Sequence, residues 1–435
     1  MNMIDVILKK RNGEELTKEE IEFFVYGYTD GSIPDYQVSA LLMAIYFQKM
    51  TRDEIFLLTN AMKSSGDSMN LDMIKGIKVD KHSTGGVGDK ITLIAAPVAA
   101  ACGVPVAKLS GRGLGFTGGT IDKLEAIPGF RTSVEPEDFF SQVNRIGLAV
   151  AGQTAKVAPA DKKIYGLRDV TGTVDILSLI ASSIMSKKLS SGSDAIVLDV
   201  KSGEGAFMKT AEDAERLASI MCDIGRDAGK KTVAAVTDMT EPLGYAVGNA
   251  IEVIEAIETL KGKGPRDIYE IAITLSGLMI FVGEKVASFE EGEKMAEEAI
   301  QSGRALEKFR QFIAAQGGNP QVVDEYNLLP QAEKQIEIKS KESGYIKGIH
   351  AETIGYASER TGAGRASKED SIDPSAGILL KKKIGDRVEK GETLAILYSS
   401  SEKKISEAID LVEKAFSISQ NRVETKSKVI ELIGV

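Results

Sequence analysis

Apolar and polar residues follow a helical period through the first 65 residues of the chain. Residues 36–47 carry apolar side chains three and four positions apart. Thr17 with Glu20, and Thr51 with Glu54, have the spacing of a capping box, in which each side chain satisfies a free backbone donor at the start of a helix. This pattern predicts a small all-helical domain.

Beyond residue 70 the pattern changes to short apolar runs that alternate with helical segments. The runs lie at residues 77–79, 106–109, 195–200 and 232–236, and the helical segments include 211–228 and 249–261. Alternating strands and helices are typical of a mostly parallel sheet covered by helices. A helix at 174–188 interrupts the alternation, and we expect it to return to the helical domain.

The last hundred residues predict a strand–turn–strand at 343–349 and two strands around a turn at 376–380 and 386–397. A valine, then Glu-Lys-Gly, then an apolar strand resembles the barrel sandwich of biotinyl and lipoyl carrier domains. The Met-Lys-Met context of a modified lysine is missing, so we expect no carrier role. Between these strands, residues 359–370 are polar and glycine-rich, and either a solvated loop or a flap over a site fits them.

Together these patterns predict an α/β protein with three parts, because 435 residues exceed what one hydrophobic core usually serves. A helical domain is expected from 1–68 and 159–192. A larger α/β domain with a mostly parallel sheet is expected from 69–158 and 193–335. A C-terminal α+β domain, barrel-sandwich-like and β-rich, is expected from 336–435.

Composition narrows the range of functions. The net charge of −9 argues against general binding to nucleic acid, whose backbone is also negative. Two cysteines, Cys102 and Cys222, are too few for a disulfide scaffold and fit a reducing cytosol. No secretory signal or membrane-spanning stretch is predicted. We therefore expect a cytoplasmic protein without a nucleic-acid or membrane partner.

Two glycine-rich segments follow predicted strands. In Lys81-His-Ser-Thr-Gly-Gly-Val-Gly-Asp-Lys90, glycines before a helix let backbone N–H groups approach an anion. The longer segment is Ser110-Gly-Arg-Gly-Leu-Gly-Phe-Thr-Gly-Gly-Thr-Ile-Asp-Lys-Leu-Glu125. Neither has the spacing of a P-loop or a dinucleotide-binding motif. Because neighbouring parallel strands end at one sheet edge, both segments are expected to form one anion site.

Both segments resemble the signatures of the thymidine/pyrimidine-nucleoside phosphorylase family, and the longer one matches at nearly every position. The resemblance extends over the whole chain. It implies a homodimer in which a cleft separates the helical domain from the α/β domain. It also implies reversible phosphorolysis of uridine, thymidine and deoxyuridine to a free pyrimidine and (deoxy)ribose 1-phosphate. Inorganic phosphate would be the co-substrate, and no organic cofactor is expected.

Carried over by position, the resemblance assigns two groups of site residues. The residues expected to bind phosphate are Lys81, His82, Ser83, Thr92, Lys108, Leu109, Ser110 and Thr120. The residues expected to bind the nucleoside are Lys108, Tyr165, Arg168, Ser183 and Lys187. In catalysis, Arg168 and Lys187 are expected to offset negative charge on the leaving pyrimidine, and His82 to donate a hydrogen bond or a proton to it. Ser183 and Lys187 are four positions apart on a predicted helix and share a face.

The resemblance further implies a structural potassium ion. Its expected ligands are backbone oxygens of Gly88, Lys90, Leu243 and Ala246 and the carboxylate of Glu255. Hard cations prefer oxygen ligands. The lysine at position 90 is compatible with a carbonyl ligand but not with a side-chain ligand.

Lys108 bears on the sugar that the enzyme accepts. Thymidine-restricted relatives typically carry methionine at this position, whereas the broad pyrimidine type carries lysine. An ammonium group can hydrogen-bond a ribose 2′-hydroxyl, so we expect both ribo- and deoxyribonucleosides to be substrates. The alternative is a lysine that only supports the phosphate.

Three other functions stay open at this point. One is a thymidine-restricted phosphorylase. Another is an anthranilate-type phosphoribosyltransferase, which shares the architecture but would need a magnesium–pyrophosphate site, for which no acidic pair is placed. The third is a non-catalytic nucleoside-binding protein, which would need neither His82 nor cations that face both phosphate and base.

Overall fold

The computed structural model describes residues 1–113, 115–153, 156–365, 367 and 370–435. The N-terminal helices are α1 (Met3–Arg11), α2 (Lys18–Asp30), α3 (Asp35–Gln48) and α4 (Arg52–Ser64). Next come β1 (Val79–Ser83), α5 (Thr92–Ala101), β2 (Val106–Ser110), α6 (Thr120–Glu125), α7 (Pro136–Ile146) and β3 (Leu148–Gly152). They are followed by α8 (Pro159–Thr171) and α9 (Leu177–Ser190).

The second half of the α/β domain contains β4 (Ala195–Ser202), α10 (Ala211–Asp227), β5 (Lys231–Asp238), β6 (Ala246–Gly248), α11 (Ala250–Leu260), α12 (Arg266–Val282), α13 (Phe289–Gln301) and α14 (Arg304–Ala315). Two 3-10 turns, Pro320–Val323 and Tyr326–Leu328, follow. The C-terminal part contains β7 (Lys334–Lys339), β8 (Gly344–Ile349), α15 (Ala351–Ser358), β9 (Gly377–Leu380), β10 (Arg387–Val388), β11 (Thr393–Ser399), α16 (Glu402–Ala415), β12 (Phe416–Ser419) and β13 (Val429–Ile433).

The helical domain has its own core, to which the first four helices and α8 and α9 contribute. Both predicted capping boxes are confirmed: Thr17 pairs reciprocally with Glu20, and Thr51 with Glu54. After β3 the chain returns to this domain, where α8 packs on α2 and α9 packs on α4. In the part of the chain that is described, no helix combines the length and apolar character needed to cross a membrane.

The main sheet has the order β1-β4-β5-β13, and β1, β4 and β5 are parallel, as predicted. The strands β2 and β3 form a separate parallel pair beside β1. A hydrogen bond of 3.0 Å from the Val79 amide to the Pro105 carbonyl joins the starts of β1 and β2. The helix α5 is buried almost throughout and fixes the position of its first residue, Thr92, below the strand ends.

The C-terminal part is β-rich, as predicted. Its strands β7 to β12, together with β6, form two open antiparallel sheets with the orders β10-β8-β12 and β6-β9-β11-β7, and these sheets do not close into a barrel. The predicted strand–turn–strand at 343–349 is one continuous strand, β8, because both of its edges are occupied by partners.

Two strands cross between the α/β and C-terminal domains. The strand β6 lies in the α/β part of the sequence but pairs with β9 of the C-terminal sheet. Conversely, β13 at the end of the chain pairs antiparallel with β5 and forms one edge of the main sheet. Each of the two domains therefore contributes one strand to a sheet of the other, and backbone hydrogen bonds join them at both places.

Candidate active site

A cavity of about 210 Å³ lies at the carboxyl ends of β1 and β2. Both glycine-rich segments line it, together with the end of α9. The first segment turns sharply at Gly85 and Gly88, whose φ values of 94° and 74° suit glycine. The two segments converge on one cavity, as predicted, although β1 and β2 lie in separate sheets.

Seven of the eight residues expected around the phosphate line this cavity. They are His82, Ser83, Thr92, Lys108, Leu109, Ser110 and Thr120. Their hydroxyl and ammonium groups can all donate hydrogen bonds to an anion. The Ser83 hydroxyl at present donates to Oδ2 of Asp89 at 2.5 Å, and the Gly85 amide donates to Ser83 Oγ at 3.2 Å.

Lys81 is the exception, and the reason is the length of β1. The sequence predicted a strand that ends at 79, but β1 continues to Ser83. Successive side chains of a strand point to opposite faces, so Lys81 points away from the cavity that His82 lines. Its Nζ lies 3.1 Å from Oδ2 of Asp199. Burial lowers the pKa of Lys81, but Asp89 and Asp199 outweigh that effect and raise it.

A buried carboxylate anchors two cavity lysines. Oδ2 of Asp80 lies 2.7 Å from Nζ of Lys188, and Oδ1 lies 3.4 Å from Nζ of Lys108. Lys188 also donates to the carbonyl of Leu109 at 3.3 Å, and Lys108 to the carbonyl of Lys81. Burial lowers the pKa of Lys108 to about 8, and the nearby Lys188 adds to the effect although Asp80 opposes it. One carboxylate thus holds the ammonium groups of both lysines at the cavity.

The imidazole of His82 faces this cationic cavity. The pKa of His82 is held well below its ordinary value of 6.5, mainly by burial. The positive charges of four lysines add to this effect, in the order Lys188, Lys108, Lys187 and Lys81. The ring is therefore neutral at neutral pH. None of the residues that the structure describes hydrogen-bonds to it, so it is free to bind a substrate. An anion in the cavity would offset the lysine charges and raise its pKa.

The residues expected at the pyrimidine lie on α8 and α9. Nζ of Lys187 is 3.1 Å from Oγ of Ser183 and 2.5 Å from Oδ2 of Asp161. Lys187 lines the cavity, whereas Ser183 is buried behind it and Tyr165 is 41% exposed on the outer side of α8. Lys187 therefore lies between the residues expected to bind phosphate and those expected to bind the pyrimidine.

Arg168 is buried, and its guanidinium is used mainly by the backbone. It donates to the carbonyl oxygens of Thr173 at 3.0 Å, Leu179 at 3.2 Å and Val174 at 2.5 Å. Burial lowers its pKa to about 10. Three of its five N–H donors thus hold the connection between α8 and α9. Its guanidinium carbon lies 5.8 Å from the ring centre of Tyr165.

The glycine-rich segment at 359–370 touches the second glycine loop. Nη1 of Arg365 lies 2.9 Å from Oδ1 of Asp122, which also receives the Gly113 amide on Oδ2 at 2.7 Å. The Gly115 amide donates to the Arg365 carbonyl at 3.3 Å. Leu114 of the second glycine motif and residues 366, 368 and 369 of the other segment lie outside the described residues. The contact of Arg365 favours the flap over the solvated loop.

Known proteins share the fold and the domains of this chain. The structure of anthranilate phosphoribosyltransferase from Thermus thermophilus superposes with a TM-score of 0.57 at 21% identity, over 72% of this chain and 99% of that one, which indicates a shared fold. Residues 4–66 match the helical bundle domain and residues 75–306 the a/b domain of the glycosyl transferase family. Residues 345–419 match the pyrimidine nucleoside phosphorylase C-terminal domain.

Whole-length relatives are much closer. The chain is 57% identical over 402 residues to the pyrimidine-nucleoside phosphorylase of Bacillus subtilis (strain 168), covering 92% of this chain and 93% of that protein. It belongs to the pyrimidine-nucleoside phosphorylase family. The enzyme of that name from Geobacillus stearothermophilus is 56% identical with the same coverage, and that from Staphylococcus haemolyticus is 55% identical over 95% of this chain and 97% of that protein.

The potassium site expected for a pyrimidine-nucleoside phosphorylase does not fit the residues present. The ammonium of Lys90 contacts the carbonyl oxygens of Leu243 and Ala246 and the carboxylate of Glu255. Three of the oxygen atoms expected to hold the ion are therefore occupied by a side chain of the protein. From the sequence, only the backbone oxygen of Lys90 was expected to take part in this site.

Asp80 and Lys188 are the site residues of this family member that the sequence interpretation missed. Both lie in stretches that read as core, β1 and α9. A signal was present, because a carboxylate inside an otherwise buried strand requires a charged or hydrogen-bonding partner. The partner itself could not be identified, since Asp80 and Lys188 are 108 positions apart.

Proposed function

We propose that this chain is a pyrimidine-nucleoside phosphorylase that cleaves uridine, thymidine and deoxyuridine reversibly to the free base and (deoxy)ribose 1-phosphate. The observation that carries the proposal is the cavity between the two glycine loops, where Lys108, Lys187 and Lys188 surround a neutral His82. On one side, the cavity presents cations and hydroxyl donors that can bind phosphate. On the other side lies the helix that carries Lys187, which can contact the base.

In the reaction, phosphate is the nucleophile at C1′. A phosphate oxygen forms the new bond to C1′ while the bond from C1′ to the pyrimidine nitrogen breaks, and its electron pair leaves with the base. Positive charge develops on the sugar ring, as in other glycoside cleavages. The enzyme contributes mainly position and electrostatics. Ser83, Ser110 and Thr120 would orient the phosphate by donating hydrogen bonds, and Lys108 would supply charge.

His82 and Lys187 would stabilise the departing base. The leaving pyrimidine becomes negative, and the Lys187 ammonium, which contacts Asp161 and Ser183, can offset that charge. The neutral imidazole of His82 can donate its N–H to a carbonyl of the base. Once phosphate occupies the cavity and raises its pKa, His82 can also donate a proton. Arg168 would contribute indirectly, by fixing the connection between α8 and α9.

Lys108 supports the broad sugar specificity. Its ammonium lies in the cavity wall beside Ser110, and its bond to Asp80 is long at 3.4 Å. A ribose hydroxyl could therefore accept a hydrogen bond from it without displacing a tight ion pair. Methionine at this position would offer no donor.

We infer that the protein works as a homodimer in the cytoplasm. The helix α3 exposes large apolar side chains on one face: Tyr36 is 74% and Phe47 71% exposed. Exposed apolar clusters of this kind favour association. Both cysteines, Cys102 and Cys222, are unpaired, which suits a reducing compartment.

The deciding experiment measures uracil and thymine release from uridine and thymidine, with and without phosphate. Phosphate-dependent release from both substrates supports the proposal. Release from thymidine alone would indicate a thymidine-restricted phosphorylase. Release from neither, with nucleoside binding retained, would leave a binding protein.

A further inference from the structure

The ammonium group of Lys90 lies among oxygen atoms of the kind that hold a hard cation. Its Nζ is 3.1 Å from the carbonyl oxygen of Leu243, 2.7 Å from that of Ala246 and 2.5 Å from Oε2 of Glu255. A lysine ammonium has three N–H donors, so each finds one acceptor. Backbone carbonyls and a carboxylate are the ligands that hard cations prefer, and here they surround a cation that is part of the chain.

The charges around Lys90 are already paired. Burial lowers the pKa of this fully buried lysine, but Glu255 and Glu252 outweigh that effect and raise it, so the ammonium stays charged. Glu252 is paired in turn with Lys123, whose Nζ lies 3.1 Å from its Oε2. A potassium ion at this place would compete with Lys90 for the same Glu255 oxygen.

Close packing of the backbone adds to this competition. Gly88 has a φ of 74°, and a Cβ atom at this position would lie 2.5 Å from the carbonyl oxygen of Leu243. The first glycine loop thus passes directly against the oxygen atoms that Lys90 binds. An ion could bind the same oxygen atoms only by displacing the ammonium.

The contacts of Lys90 stabilise the loop that lines the phosphate cavity. The Leu243 amide donates to the carbonyl of Val87 at 3.0 Å, beside the ammonium. Asp89, directly before Lys90, accepts from Ser83 through its carboxylate and from Lys123 through its carbonyl. A cation at this place therefore holds the residues that orient the Ser83 hydroxyl.

We propose that the ammonium of Lys90 replaces the structural monovalent cation, so that this protein orders its phosphate loop without potassium. The site is a tethered cation site, which needs no ion from solution. Its stability and its turnover are then independent of the potassium concentration.

The first test uses the full-length wild-type protein freed of potassium. Its melting temperature is followed through a potassium titration in which choline chloride keeps the ionic strength constant. The expected result is no potassium-dependent shift, because the oxygen atoms already hold the ammonium. Melting does not depend on the proposed enzyme activity, so this result stands or falls separately from it. The rate of phosphorolysis measured in the same buffers should also be independent of the potassium concentration.

The second test uses Lys90→Ser, which removes the ammonium and leaves the carbonyls and Glu255 in place. In choline, breaking the buried pair should lower the melting temperature on the order of 5 °C. Potassium should restore most of that loss. The matched control is Lys10→Ser in the helical domain, where Lys10 is also buried and its Nζ lies 2.8 Å from both carboxylate oxygens of Glu54. It should lose stability without recovery in potassium.

Two results would overturn the proposal. One is a wild-type protein whose melting temperature rises with potassium but not with choline. The other is a Lys90→Ser protein that is destabilised and recovers no more in potassium than the Lys10→Ser control. If Lys90→Ser does not accumulate in folded form, the wild-type titration decides alone.

Discussion

Replacing Lys108 by methionine tests how this enzyme would distinguish sugars. Lys108 lines the cavity, and its Nζ lies 3.4 Å from Oδ1 of Asp80 and donates to the carbonyl of Lys81. Methionine retains most of the length of the side chain and removes the donor and the charge. Asp80 keeps Lys188 at 2.7 Å, so the buried carboxylate is not left without a partner.

The expected size of the effect follows from the bond that is lost. A hydrogen bond from a charged donor to a substrate hydroxyl contributes about 1.5–3 kcal/mol. Only uridine has the 2′-hydroxyl that receives this bond. For Lys108→Met, kcat/KM for uridine should therefore fall about 10-fold to 150-fold relative to that for thymidine. Loss of charge near phosphate should lower both values by a further common factor.

The assay compares kcat/KM for uridine and thymidine at saturating phosphate. The matched control is Lys188→Met, which removes an ammonium from the same cavity and the same carboxylate, Asp80. Lys188→Met should lower kcat/KM for both substrates to a similar extent and leave the ratio of the two values near that of the wild type. If the ratio is also unchanged in Lys108→Met, Lys108 supports the phosphate only, and the sugar assignment is wrong.

Three further predictions concern His82 and the helical domain. His82→Ala should lower kcat about 100-fold or more with phosphate affinity retained; loss of phosphate binding with normal turnover at saturation would contradict its role. Because the folded pKa of His82 is depressed, the unfolded chain protonates first, so the free energy of unfolding should fall as pH drops below about 6.5; in urea titrations His82→Asn should show a smaller fall. Thr51→Ala should cost about 1 kcal/mol in the same assay, through loss of its capping bond to the Glu54 amide; an unchanged midpoint would refute this.

Local signals predicted most of the elements that build the site. The capping boxes, the strand–helix alternation and the two glycine segments depend on residues within one or two turns of each other, so the sequence displays them directly. The spacing of Ser183 and Lys187 is of the same kind, and α9 places them in contact at 3.1 Å. Family resemblance supplied the site residues themselves, including eight that line the cavity.

Long-range charge pairing could not be predicted in this way. Lys90 and Glu255 are 165 positions apart, and Asp80 and Lys188 are 108 apart. A sequence shows that a buried lysine needs a carboxylate, but it does not show which one the fold brings near. The boundary of β1 had a comparable effect, because the strand ends four residues later than predicted and turns Lys81 toward Asp199 instead of the cavity.

The position of β13 has a consequence for how the protein is made. Residues Val429–Ile433 are synthesised well after β5 and cover its outer edge in the main sheet. Until then, β5 of the nascent chain has a free edge, and free edges pair readily with other chains. A protein that lacks β13 would keep every cavity residue and still be prone to aggregate. Synthesis through β13 is thus a condition for protecting this edge of the main sheet.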